Sequence, residues 1–119
     1  MNIIIKGTNI EMTDTIHDYV TRKMESLAKI IHKKSSTQVS VEVGKISNHH
    51  KTGMIYRAEV NVSVGGKSYR AVSEQEDLYA AVDDVRDEIS REIISGKDKM
   101  ITLFRKGAKR VKDMVRFWK

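Results

Sequence analysis

From Tyr56 to Val64 the side chains alternate without a break. Tyr56, Ala58, Val60, Val62 and Val64 fall on one side, and Arg57, Glu59, Asn61 and Ser63 on the other. A period of two places each set on one face of a β-strand, so this strand buries one face only. Gly65-Gly66 comes next, and two adjacent glycines supply the positive φ angles of a two-residue hairpin turn. A second strand is expected over residues 67–73. Beyond Glu76-Asp77, the residues Leu78, Ala81, Val82, Val85 and Ile89 recur at the spacing of a helix with one apolar stripe. A hairpin that feeds a helix lying back across its own sheet is a compact α+β unit. The stretch holds no nucleophile, no Gly-rich phosphate loop and no metal-ligand set, so function has to be sought in charge and shape.

The rest of the chain completes that unit. Residues 2–6 read as a short apolar strand. Thr13 can cap a helix through its side-chain oxygen. Ile16, Tyr19, Val20, Met24, Leu27 and Ile31 then form one stripe, which predicts a helix over 13–33. Residues 38–46 form a strand with Val39, Val41 and Val43 facing inward, and residues 47–53 a polar loop. The remaining strands lie at 54–64 and 67–73. The last helix covers 76–95, with Gly96 as its C-terminal stop. Two helices with single apolar stripes need one sheet face to cover. The expected fold is therefore α+β, a two-layer β-α-β-β-β-α sandwich with both helices on one face. Its core should contain Ile4, Ile16, Val20, Leu27, Val41, Val60, Val62, Ala71, Leu78, Val82 and Ile89.

At 119 residues the chain suits one such domain with a core of its own. It contains no cysteine, which removes disulfides and thiol chemistry, and no proline. The opening residues lack the basic region and long apolar run of a signal peptide, and no segment approaches a membrane span. A cytoplasmic protein is expected.

Charge divides the chain in two. Before residue 97 there are 13 lysines and arginines against 14 acids, a net of −1. From 97 onward there are nine against two, a net of +7, and together these make the overall +6. The division suggests a domain over 1–96 and a basic tail over 97–119. In the tail Met100, Phe104, Val111, Val115 and Trp118 share one side of a helix, and Arg105, Lys109, Lys112 and Arg116 the other. Gly107 interrupts the apolar stripe. A basic amphipathic helix fits nucleic acid, a membrane surface or a protein groove, or self-association through its apolar side.

Other constellations are weak. His49 and His50 are adjacent in a polar loop with no cysteine to complete a site, and His17 and His32 stand alone, so no metal is expected. Asp83-Asp84 and Asp87-Glu88 are sequence neighbours, which do not face each other on a helix, so they do not form a catalytic carboxylate pair. No enzyme, no cofactor and no small-molecule substrate are expected.

Four segments carry a family resemblance: residues 1–13, residues 16–27 (Ile-His-Asp-Tyr-Val-Thr-Arg-Lys-Met-Glu-Ser-Leu), residues 56–62 (Tyr-Arg-Ala-Glu-Val-Asn-Val) and residues 76–83 (Glu-Asp-Leu-Tyr-Ala-Ala-Val-Asp). In this order and spacing they resemble the ribosome hibernation promoting factors, also called ribosome-associated translation inhibitors, in a short form. The resemblance implies a fold like a double-stranded-RNA-binding domain. It implies the small ribosomal subunit and its rRNA as partner, and occlusion of the mRNA/tRNA channel as mechanism. This chain departs from the family pattern at Glu88 and at Ile93, Ile94 and Ser95, where basic residues are usual, and Asp83, Asp84 and Asp87 add acid to the second helix.

The residues expected to meet rRNA phosphates are Arg22, Lys23, Lys29 and Lys33 near the first helix, Arg57 and Arg70 on the strands, and Arg86 and Arg91 on the second helix. Lys97, Arg105, Lys109 and Arg110 extend the set into the tail. Each has a plainer reading. Helical lysines and arginines often form a solvated face, Arg57 and Arg70 could pair with Glu42 or Glu59, and Arg91 with Asp87 or Glu88. Two other functions fit the same residues: a general RNA-binding or RNA-chaperone protein, and a protein that docks to a membrane or partner through its tail.

Overall fold

A computed structural model describes residues 1–31, 36–46 and 54–105, with 97–105 described by their backbone alone. The elements run β1 (Asn2–Thr8), α1 (Asp14–Glu25), a 3-10 turn (Ser26–Lys29), β2 (Thr37–Ile46), β3 (Ile55–Val64), β4 (Lys67–Gln75) and α2 (Leu78–Arg105). The β-α-β-β-β-α order is the expected one. The strands form one sheet in the order β1-β2-β3-β4. β1 pairs parallel with β2, and β2–β3 and β3–β4 pair antiparallel. The tight connection between β3 and β4 is Gly65-Gly66, with φ of 50° and 88°. Positive φ at both central residues gives a turn whose twist matches that of the strands it joins.

Register decides the core. Val39, Val62 and Tyr69 lie opposite one another, as do Val41, Val60 and Ala71, and Val43 and Ala58. These residues project to one side, where Val20, Met24 and Leu27 from α1 and its 3-10 extension meet Leu78, Ala81, Val82, Val85, Ile89, Ile93 and Ile94 from α2. Both helices therefore cover the same sheet face, and among the described residues the other face is left open.

Three sequence expectations need correction. Ile4 is 55% exposed, whereas Ile3 and Ile5 pack against the core. Three consecutive isoleucines carry no alternation, so only pairing of Ile3 with Val39 and Ile5 with Val41 sets which face each side chain takes. The first helix is shorter than 13–33. Thr13 does cap it, accepting from the Ile16 N–H at 3.2 Å. Its α-helical part ends at Glu25, where the Ser26 hydroxyl bonds back to the Lys23 carbonyl and the chain tightens into the 3-10 turn. Ile16 is half-buried at the core margin. Gly96 does not stop the second helix, which continues to Arg105. What glycine provides there is room: a Cβ at 96 would stand 3.1 Å from the Tyr69 hydroxyl.

Candidate nucleic-acid interface

The sandwich has two outer surfaces, and the expected phosphate contacts divide between them. On the helical layer, the one-turn spacing between Tyr19 and Lys23 aims both at α2. The Tyr19 hydroxyl donates to Asp83 at 2.5 Å, and Lys23 Nζ reaches the same carboxylate oxygen at 3.1 Å. Lys23 also sits 5.5 Å from the centre of the Tyr19 ring, and Tyr19 meets Tyr79 edge to face at 4.7 Å. Partial burial and the Asp83 carboxylate push the Tyr19 hydroxyl up to about 12, so it stays a neutral donor at physiological pH. Lys23 is thus partly committed to joining the helices.

Arg86 is committed further. Only 9% exposed, it donates from Nε to the Ser26 hydroxyl at 2.8 Å and from Nη1 to Asp87 at 3.1 Å. It ties α2 to the end of α1, a contact between residues 60 positions apart that the sequence pattern does not signal. One turn further on, the Ser90 hydroxyl is buried with no partner among the described residues. By contrast Arg22, Lys29 and Arg91 are exposed, and among the described residues none of them is in an ion pair. Arg91 does not pair with Asp87 or Glu88.

On the open sheet face Arg57 and Arg70 converge on Glu59. Arg57 Nη2 lies 3.0 Å from one carboxylate oxygen, and Arg70 Nε lies 3.0 Å from the other, which also accepts from Asn61 at 3.2 Å. The hydrogen bonds from Arg70 and Asn61 hold the Glu59 carboxyl down to about 2. Register explains the cluster: Glu59 faces Val72, and Arg70 and Arg57 flank it one step away along the same face. Glu42 plays no part in it, accepting instead from the Thr8 hydroxyl at 2.6 Å. Beside the cluster, Gln38, Ser40, Asn61, Ser63, Ser68 and Arg70 line a recess of about 340 Å³. These polar neighbours were not picked out from the sequence. Their signal was the polar half of the strand alternation, which lacks acids at this end of the sheet.

Lys33, Lys109 and Arg110 lie outside the described residues, as do His49 and His50, and of Lys97 and Arg105 the backbone alone is described. Among the described residues no group of three His, Cys, Asp or Glu side chains is arranged to hold a metal ion. No described helix is long and apolar enough to cross a membrane.

Fold and surface together define a class: a two-layer α+β sandwich that displays cations on both its outer faces. The chain belongs to the family described as Sigma 54 modulation protein / S30EA ribosomal protein, which it matches over residues 3–101. The four segments that carried the resemblance fall within or at the edge of that span. A ribosome hibernation promotion factor of Picosynechococcus sp. is 37% identical over 99 residues, covering 83% of this chain and 50% of the relative. A ribosome hibernation promoting factor of Azotobacter vinelandii is 32% identical over 101 residues, covering 85% of this chain and 87% of its own length. The chain thus spans half of the first relative and most of the second. Among solved structures, the N-terminal domain of Thermus thermophilus Protein Y superposes with a TM-score of 0.63 at 32% identity, over 78% of this chain and 96% of that domain. A ribosomal subunit interface protein of Coxiella burnetii shares the fold, with a TM-score of 0.65 at 17% identity over 82% of this chain and 99% of its own.

Proposed function

We propose that this protein is a ribosome-binding translation inhibitor that occupies the mRNA/tRNA channel of the small ribosomal subunit through contacts to rRNA phosphates. The family match over residues 3–101 carries the reading. Relatives of that family bear the name of ribosome hibernation factor, and the described surface offers what a channel lined by phosphates would require. Cations face outward from both layers, with Arg22, Lys29 and Arg91 on one and Arg57 and Arg70 on the other. Occlusion needs shape and charge, and no bond is made or broken. Arg86 and Lys23 act chiefly by fixing the two helices relative to each other. Residues 97–119 form a second unit in this proposal, whose Lys97, Arg105, Lys109 and Arg110, together with Lys33 of the domain, add phosphate attraction. The working compartment is the cytoplasm.

The test is a sucrose gradient of a lysate of the source cells with the protein detected across fractions, paired with cell-free translation. The protein should travel with small subunits or whole ribosomes. It should inhibit translation less as salt rises, because each phosphate contact releases counterions. Inhibition without ribosome association would overturn the proposal. Equal affinity for any duplex RNA would favour a general RNA-binding protein instead.

A further inference from the structure

The open sheet face carries an asymmetry that its overall neutrality conceals. Two rows cross it near the Gly65-Gly66 turn. One runs Asn2, Gln38, Ser63, Ser68, and the next Ile4, Ser40, Asn61, Arg70. Neither row contains an acid. The acids Glu42, Glu59 and Glu74 all stand in the two rows at the other end of the sheet. With strands about 4.8 Å apart, each row spans about 14 Å. The recess of about 340 Å³ lies within the acid-free half, and among the described residues Arg70 is the one charged group that lines it.

The way Arg70 is held matters more than its charge. Glu59 takes its Nε, at 3.0 Å, and Glu59 is in turn fixed by Arg57 and Asn61. The side chain is otherwise 61% exposed, and no group among the described residues takes its two terminal nitrogens. A guanidinium anchored at Nε with both Nη groups free is a ready fork for two oxygens of one phosphate. Around it, the hydroxyls of Ser40, Ser63 and Ser68 and the amide of Gln38 have no partner among the described residues. The Asn61 carbonyl oxygen is free because its amide nitrogen does the bonding to Glu59. Neutral donors and acceptors around one phosphate fork match a ribose-phosphate backbone, since the ribose 2′-hydroxyl both donates and accepts.

We propose that the acid-free half of the open sheet face is a single-stranded RNA site, in which Arg70 grips one phosphate and the neighbouring serines and amides engage ribose hydroxyls. This rests on the ribosome-binding reading and adds to it a defined location and a preference for RNA over DNA. No base is read, so the site accepts any sequence.

Fluorescence anisotropy of the full chain with a labelled oligouridylate, and with the deoxy oligonucleotide of the same length, tests it. Arg70→Ala should weaken oligouridylate binding about tenfold and lower the log–log salt slope by roughly 0.7, the value for one phosphate contact on a single strand. Arg70→Lys should fail to restore binding, because an ammonium keeps the charge and loses the fork. The Ser63→Ala/Ser68→Ala double variant alters exposed side chains that take no part in the core, and it should narrow the preference for RNA over DNA. Unchanged binding in Arg70→Ala, full binding in Arg70→Lys, or equal affinity for RNA and DNA in the parent protein would each overturn the site. Co-sedimentation of the same variants with small subunits separates the two levels. If the parent protein fails to sediment with ribosomes, the function proposed above falls. If it sediments and Arg70→Ala does so equally well, this site alone falls.

Discussion

At the residue scale Glu59 takes up the pairing that strand alternation offered for Arg57 and Arg70, and with Asn61 added it collects all three into one cluster on the open sheet face. Its carboxyl titrates near 2 in the folded protein, well below the roughly 4.3 of an unfolded glutamate. The folded state therefore binds that proton less readily, and the contribution of Glu59 is complete above about 4.3 and lost as pH falls towards 2. Urea titrations of the parent and Glu59→Gln should differ at neutral pH, with the gap closing across that acid window. A constant gap would mean that charge has no part in it. Ile4 and Ile89 give a second contrast. Ile89 is fully buried, and Ile89→Ala should cost about 3 kcal/mol. Ile4→Ala, on the exposed face, should stay within about 0.5 kcal/mol, measured by the same urea unfolding. The alternation of Val39, Val41 and Val43 revealed which face they take, and the run Ile3-Ile4-Ile5 could not, because it has no period.

Elements were most legible where local chemistry marks their ends. Thr13 announces α1 by its capping oxygen. The cap of α2 went unread: Asp77, inside the helix expected from 76, stands just before it and accepts from the Ala80 N–H at 3.2 Å, so Asp77→Ala should cost about 1 kcal/mol. Gly65-Gly66 specifies the β3–β4 hairpin, and at φ of 88° Gly66→Ala meets no neighbouring atom but places a Cβ in a left-handed backbone. It should destabilise by about 1 kcal/mol, read as a shift in the urea midpoint. The C-terminal ends were less legible. Glycine often terminates helices, yet Gly96 sits inside α2 because the Tyr69 hydroxyl occupies the space a side chain would need. That reason lies on another strand, out of reach of a window along the chain. The shared role of Ser26 and Arg86 is hidden for the same cause.

For the whole molecule, Ile93 and Ile94 are the last core members along α2 among the described side chains. A chain cut after Gly96 should remain folded by circular dichroism and urea unfolding. It should bind ribosomes more weakly and with a shallower salt dependence, each lost phosphate contact removing roughly 0.9 from the slope. Equal affinity and slope would assign residues 97–119 to something other than RNA.

The parallel pairing of β1 with β2 has a consequence for the order in which this chain assembles. Strands β2, β3 and β4 follow one another as neighbours, so their ladders close over short stretches of chain. β1 must wait for α1 to form and cross over, because Ile3 and its partner Val39 are 36 residues apart. Loop closure of that length is slow and yields its reward late. The N-terminal strand is then the last to dock, and by reversibility the first to leave. Native-state amide exchange should show β1 opening at a lower free energy than β3, an inner strand whose ladders are protected on both sides.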